Sequence, residues 1–92
     1  MGRLSGKVAL VSGASQGMGE AIARLFAAEG ADVVLGDVLV DKGQAVAAEI
    51  GDKALFRELD VRSEDDWQAA VAAATERFGK LDVLVNNAAV LH

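Results

Sequence analysis

The stretch Ser12-Gly13-Ala14-Ser15-Gln16-Gly17-Met18-Gly19 constrains this chain more than any other. It joins the apolar run Val8-Ala9-Leu10-Val11 directly to a helix-patterned segment, Glu20 to Glu29. Glycine lets the backbone turn tightly and lets a ligand approach where a Cβ would stand in the way. The unpaired N–H groups of the new helix and the positive end of its dipole then face an anion. A strand, a glycine turn and a helix in that order predict a diphosphate site. Glycine turns after strands also occur for purely structural reasons, so the reading depends on the rest of the chain.

Beyond the turn, strand and helix patterns alternate regularly. Lys7 to Ser12 is a nearly continuous apolar run, as in a strand buried on both faces. Met18, Ile22, Leu25 and Phe26 form one helical face, and Gly30 sits where a C-terminal glycine ends a helix. Asp32 to Asp37 is a second buried strand; Gly43, Val46, Ala47 and Ile50 repeat the helical spacing up to Gly51. Ala54 to Leu59 reads as a third strand. The third helix starts at Ser63, a good N-cap with Asp66 three residues on as a capping-box variant. Its buried stripe is Trp67, Ala70, Val71, Ala74 and Phe78, and Gly79 ends it. Asp82 to Val85 is a fourth strand, followed by Asn86-Asn87-Ala88-Ala89. The order β-α-β-α-β-α-β predicts an α/β fold, a three-layer doubly wound parallel (Rossmann) sheet with strand order 3-2-1-4. Ligands bind such sheets outside the carboxyl ends of the strands, where the winding reverses. The glycine turn and the Asn86–Ala89 turn should flank that point.

Composition narrows the partners. Ninety-two residues with 52% hydrophobic and 25% charged content suit one small domain. A net charge of −5 without a Lys/Arg cluster argues against nucleic acid or an anionic membrane as partner. With no cysteine there is no disulfide framework, thiolate metal site or cysteine nucleophile. No apolar run approaches the about 20 residues that span a bilayer, and the first residues carry no secretory signal pattern. A cytoplasmic protein with no metal site is the expectation.

Three further positions carry chemistry. Asp37 ends the second strand 18 residues after Gly19, where a carboxylate accepts hydrogen bonds from adenosine ribose hydroxyls. A 2′-phosphate there would meet like charge, and Gln16 and Val38 occupy the positions where a compensating cation would stand. NAD is therefore expected over NADP. Asp60 ends the third strand in the parallel place, as an acceptor for the adenine amino group with the Val61 backbone beside it, or as a turn residue before the Ser63 cap. Asn86 and Asn87 either brace the strand ends or contact the ribose. His92, the single histidine, is not assigned a catalytic role, and Trp67 is read as core.

Taken together, the Ser12–Gly19 stretch, Asp37, Asp60-Val61 and Asn86-Asn87-Ala88-Ala89 resemble, in order and spacing, the short-chain dehydrogenase/reductase family. Ser12 stands where the family more often has Thr, and Ala89 where it usually has Gly. The resemblance implies that Gly13, Ser15, Gln16, Gly17, Met18 and Gly19 line the diphosphate turn and that Asp37 selects NAD. It implies that Asp60 and Val61 hold the adenine and that Asn87 and Ala88 lie near the ribose. It further implies an oxidoreductase that interconverts a secondary alcohol and a ketone by hydride transfer, homo-oligomeric when complete. The family's proton transfer uses a tyrosine with a lysine four residues later, a serine upstream and an asparagine on a further helix. This sequence contains no tyrosine, so no catalytic residue is assigned. Residues 1–92 are expected to be the dinucleotide-binding domain, incomplete at its C-terminal side and inactive alone. The alternative is a standalone, non-catalytic nucleotide-binding module. A methyltransferase-like fold shares the glycine turn and the strand-end acid, but the Asn86–Ala89 turn argues against it.

Overall fold

The structure is a computed structural model and describes residues 2–87. Four parallel strands, β1 (Val8–Ser12), β2 (Asp32–Asp37), β3 (Ala54–Glu58) and β4 (Val83–Asn86), form one sheet in the order β3-β2-β1-β4. Helices α1 (Gly17–Ala28), α2 (Val40–Ile50) and α3 (Glu64–Phe78) make the crossovers. The expected doubly wound topology is the observed one, and the winding reverses between β1 and β4.

Alternation of side chains along the strands builds two cores. Val11, Val33 and Leu35 face α1 and α2 together with Ala23, Val46 and the half-buried Ile22 and Phe26. Val8, Leu10 and Val34 face the opposite layer, against Ala70 and Ala74 of α3, with Trp67 and Phe78 half-buried around them. All five residues of β1 are buried, as a central parallel strand requires. β4 alternates half-buried and exposed residues, and Leu84 is exposed.

Two local expectations shift. The spacing of Met18, Ile22, Leu25 and Phe26 places all four on the inward face, yet Met18 is 71% and Leu25 57% exposed. The inward face of α1 is instead built on Gly19 and Ala23, flanked by Ile22 and Phe26, because the helix lies too close to β1 for larger residues. Val71 of α3 is likewise outside its stripe, at 38% exposure. The second shift concerns the capping box. Ser63 Oγ accepts the Asp66 N–H at 3.1 Å, as expected of an N-cap. The reciprocal half is absent: the Asp66 carboxylate accepts the N–H of Asp60 at 2.9 Å, while the Ser63 N–H donates to the Asp60 carbonyl at 2.8 Å. The start of α3 therefore holds the turn after β3, which matters for the site.

Candidate functional site

At the carboxyl end of the sheet the glycine turn runs from β1 into α1. Gly13 and Gly17 have φ of 65° and 60°, a region costly for any residue with a Cβ. Gly19 answers a different need: a Cβ there would collide with the Gly13 carbonyl and reach within 2.8 Å of Asn87 Nδ2. The two ends of the turn can close on each other only because position 19 has no side chain. Gln16 occupies the N-cap in extended geometry without a side-chain bond to the helix. The side chain of the α1 cap residue thus accepts no first-turn N–H, whereas Ser63 at the start of α3 accepts that of Asp66. With a glycine cradle around it, this end of α1 fits the diphosphate of a dinucleotide.

Asp37 does more than sequence position suggests. Its side chain is buried at the end of β2, where Oδ2 accepts the Ser15 N–H at 3.0 Å and Oδ1 accepts the Leu39 N–H at 3.1 Å. Ser15 Oγ donates to the Leu39 carbonyl at 3.2 Å, and the Ala14 N–H donates to the Gly36 carbonyl at 3.2 Å. The glycine turn is thereby laced to the end of β2. A carboxylate offers about four acceptor sites, so two remain for ribose hydroxyls.

Asp60 and Val61 lie on the other side of the same cleft. A pocket of about 190 Å³ is lined by Gly13, Asp37, Val38, Leu59, Asp60, Val61 and Arg62. It brings together the residues that the sequence assigns to the adenosine half, plus Arg62. The Val61 carbonyl accepts the indole N–H of Trp67 at 2.9 Å, so Trp67 is both core and clamp. Asp60 is held by Arg62: Oδ1 accepts the Arg62 backbone N–H at 2.9 Å and Nε at 3.1 Å, and Oδ2 accepts Nη2 at 2.9 Å. These bonds, the side-chain ones foremost and the backbone one next, lower the Asp60 carboxyl to about 2 from an ordinary 3.8. A depressed carboxyl stabilises the fold fully above its unfolded value and ceases to as pH falls through about 2. A carbon-13 titration of the Asp60 carboxyl should therefore show a midpoint near 2. A midpoint near 3.8 would mean that Arg62 does not hold it in solution.

The asparagines brace the strand ends. Ser12 Oγ donates to Asn86 Oδ1 at 3.0 Å, and Asn87 Nδ2 donates to the Gly13 carbonyl at 3.4 Å. Ala88 lies outside the described residues. Met18 stands exposed at the first turn of α1, beside the cradle rather than in the core.

Sequence reasoning missed two cations. Lys42 of α2 reaches across to Gln16, its Nζ donating to Oε1 at 2.9 Å, so a positive charge does stand beside the glycine turn. No local signal marks this contact. Arg62 was detectable, since an Asp two residues before an Arg can form a side-chain turn with it. A larger depression of about 530 Å³, lined by Arg57, Glu58 and Asp66 among others, opens against β3. None of the glycine turn, Asp37 or Asp60 lines it.

Comparison with known proteins bears on the family and the fold. The family model described as short chain dehydrogenase matches residues 7–92. A 3-alpha-(or 20-beta)-hydroxysteroid dehydrogenase of Mycobacterium tuberculosis is 55% identical over 91 residues, covering 99% of this chain and 35% of that protein. A trans-4-hydroxycyclohexanecarboxylate dehydrogenase of Sinomonas cyclohexanicum is 52% identical, covering 96% and 38%. A crystal structure of a 3-ketoacyl-(acyl-carrier-protein) reductase from Brucella melitensis, complexed with NADH, superimposes with a TM-score of 0.92 at 50% identity over 97% of this chain and 37% of that one. The chain thus spans a little over a third of the length of these three proteins. With the family model matched over nearly its whole length and this fold shared with its relatives, the chain belongs to the short-chain dehydrogenase family.

Proposed function

We propose that this chain is the dinucleotide-binding part of an oxidoreductase, holding NAD(H) for the interconversion of a secondary alcohol and a ketone. The observation that carries the reading is the convergence of Gly13 of the glycine turn, Asp37 and Asp60-Val61 on one pocket at the carboxyl ends of β1, β2 and β3. The diphosphate lies over Gly13, Ser15, Gln16, Gly17, Met18 and Gly19; the adenosine ribose bonds to Asp37. The adenine would enter the Asp60–Val61 pocket, and Asn87 and Ala88 are assigned to the ribose by the family resemblance. Bound NAD supplies the hydride acceptor. These residues bind and orient it; proton transfer falls to the tyrosine and lysine that the family resemblance implies and that residues 1–92 do not contain. The relatives are named for hydroxysteroid, hydroxycyclohexanecarboxylate and ketoacyl compounds, which supports a hydroxyl/ketone substrate class. The resemblance extends the proposal to a homo-oligomer, and the sequence pattern of the chain to a cytoplasmic location.

Asp37 favours NAD, since a 2′-phosphate would sit against a carboxylate. One observation supports a second reading: the Lys42 ammonium beside Gln16 could offset a 2′-phosphate. Titration of the intact protein with NADH and NADPH, followed by nicotinamide fluorescence, separates them. NADH should bind about tenfold or more tightly. Equal affinities would favour the Lys42 reading, and failure to bind either would overturn both. Turnover of a panel of secondary alcohols with NAD should follow; none across the panel would overturn the alcohol/ketone assignment.

A further inference from the structure

Arg62 lines the proposed adenine pocket beside Asp60. Three of its N–H groups converge on one carboxylate: two on Oδ1 of Asp60 and one on Oδ2. Both acceptor sites of Oδ1 are filled, and one site on Oδ2 remains. The Asp60 backbone is fixed as well, its N–H by Asp66 and its carbonyl by the Ser63 N–H. The result is a single, immobilised acceptor at the wall of a pocket that also holds the Asp37 carboxylate and has Arg62 as the cation in its lining.

Stability does not account for this arrangement. The Arg62 side chain is 74% exposed, and exposed ion pairs contribute little to folding. Two carboxylates in one pocket, however, repel a cofactor that itself carries a negative diphosphate. We propose that Arg62 is a positioning and specificity residue of the adenine pocket. It locks Asp60 so that its one open acceptor site meets a purine 6-amino group, and it offsets one of the pocket's two negative charges for an anionic ligand. The inference rests on the NAD-binding reading and adds what that reading lacks, a reason for adenine over other purines. A 6-amino group donates to the open oxygen, whereas a 6-oxo group presents an acceptor to an acceptor that Arg62 prevents from turning away.

The two parts of the role separate by substitution. Lysine restores the charge without the planar fork that fixes the carboxylate. The test is to measure, on the intact protein, the dissociation constants of NADH and of reduced nicotinamide hypoxanthine dinucleotide by nicotinamide fluorescence. The unsubstituted protein should prefer the adenine form about tenfold. Arg62→Ala should weaken NADH binding about tenfold and reduce the preference to about twofold. Arg62→Lys should recover most of the NADH affinity but keep the reduced preference. A preference unchanged in both variants would overturn the proposal, because a general loosening of the loop weakens both dinucleotides by the same factor. A preference near one in the unsubstituted protein would overturn it too, while leaving NAD binding intact. Failure of the unsubstituted protein to bind NADH would overturn the cofactor reading and this inference with it.

Discussion

Replacing Gly19 with alanine should weaken dinucleotide binding about 100-fold and destabilise the fold by about 1–3 kcal/mol or more, the range for forcing extra atoms into a packed site. The new methyl would collide with the Gly13 carbonyl, which is backbone and cannot swing aside, and would crowd the Asn87 amide. Relief requires α1 to move away from β1, and that motion displaces both ends of the diphosphate cradle. Losing two hydrogen bonds to the diphosphate costs roughly 2–3 kcal/mol, or about 100-fold in affinity. Gly17→Ala is the informative contrast. Its Cβ would meet open space, so only the backbone strain at φ 60° remains, about 1–2 kcal/mol. Thermal unfolding and NADH titration of the two variants should rank Gly19→Ala as the worse on both measures. The reverse order would mean that α1 is not packed against the Gly13 end of the turn.

Asp37→Ala should damage stability and binding together. From sequence alone, Asp37 is a ligand contact whose loss would leave the fold nearly untouched. The structure makes it the acceptor for two backbone N–H groups, a buried one from Ser15 and a part-buried one from Leu39. The buried Ser15 N–H left unpaired costs about 1–3 kcal/mol and the part-buried Leu39 N–H less, so a loss of roughly 1–4 kcal/mol is expected. NADH affinity should fall about 100-fold, from lost ribose bonds and from release of the Ala14–Gln16 turn. Asp37→Asn keeps an oxygen for one of the two N–H groups but turns an amide donor toward the other. It should lose less stability than alanine and should narrow any preference for NADH over NADPH, since the repelling charge is gone. Stability unchanged in Asp37→Ala would show that the turn holds its shape without this carboxylate.

These two residues also show what a sequence can reveal of such a site. Strand order and the run of elements came from hydrophobic pattern and glycine placement, because a parallel sheet demands buried strands and turns demand glycine. The strand-end acids came from where the strands stop. The inward face of α1 did not, since the Met18–Ile22–Leu25 spacing describes a helical stripe equally well on either side of Ile22. What decided it was the closeness of Gly19 to Gly13, a tertiary distance that favours small residues inward and leaves Met18 and Leu25 outside. The double duty of Asp37 depends on a turn 22 residues earlier folding back onto it. The Lys42–Gln16 contact joins residues 26 apart on different elements. Arg62 was adjacent to a predicted ligand and could have been found, but its effect on Asp60 depends on all three N–H groups facing the same carboxylate.

Everything proposed for the site requires one dinucleotide to lie across the β1/β4 switch point with its adenine end between Asp37 and Asp60. A crystal structure of the intact protein with NADH tests this directly. The diphosphate should lie over Gly17 to Gly19, the adenosine ribose on Asp37 and the adenine amino group on the open oxygen of Asp60. NADH seated instead in the depression against β3, or an adenine ring outside the pocket lined by Asp37, Asp60 and Val61, would contradict it.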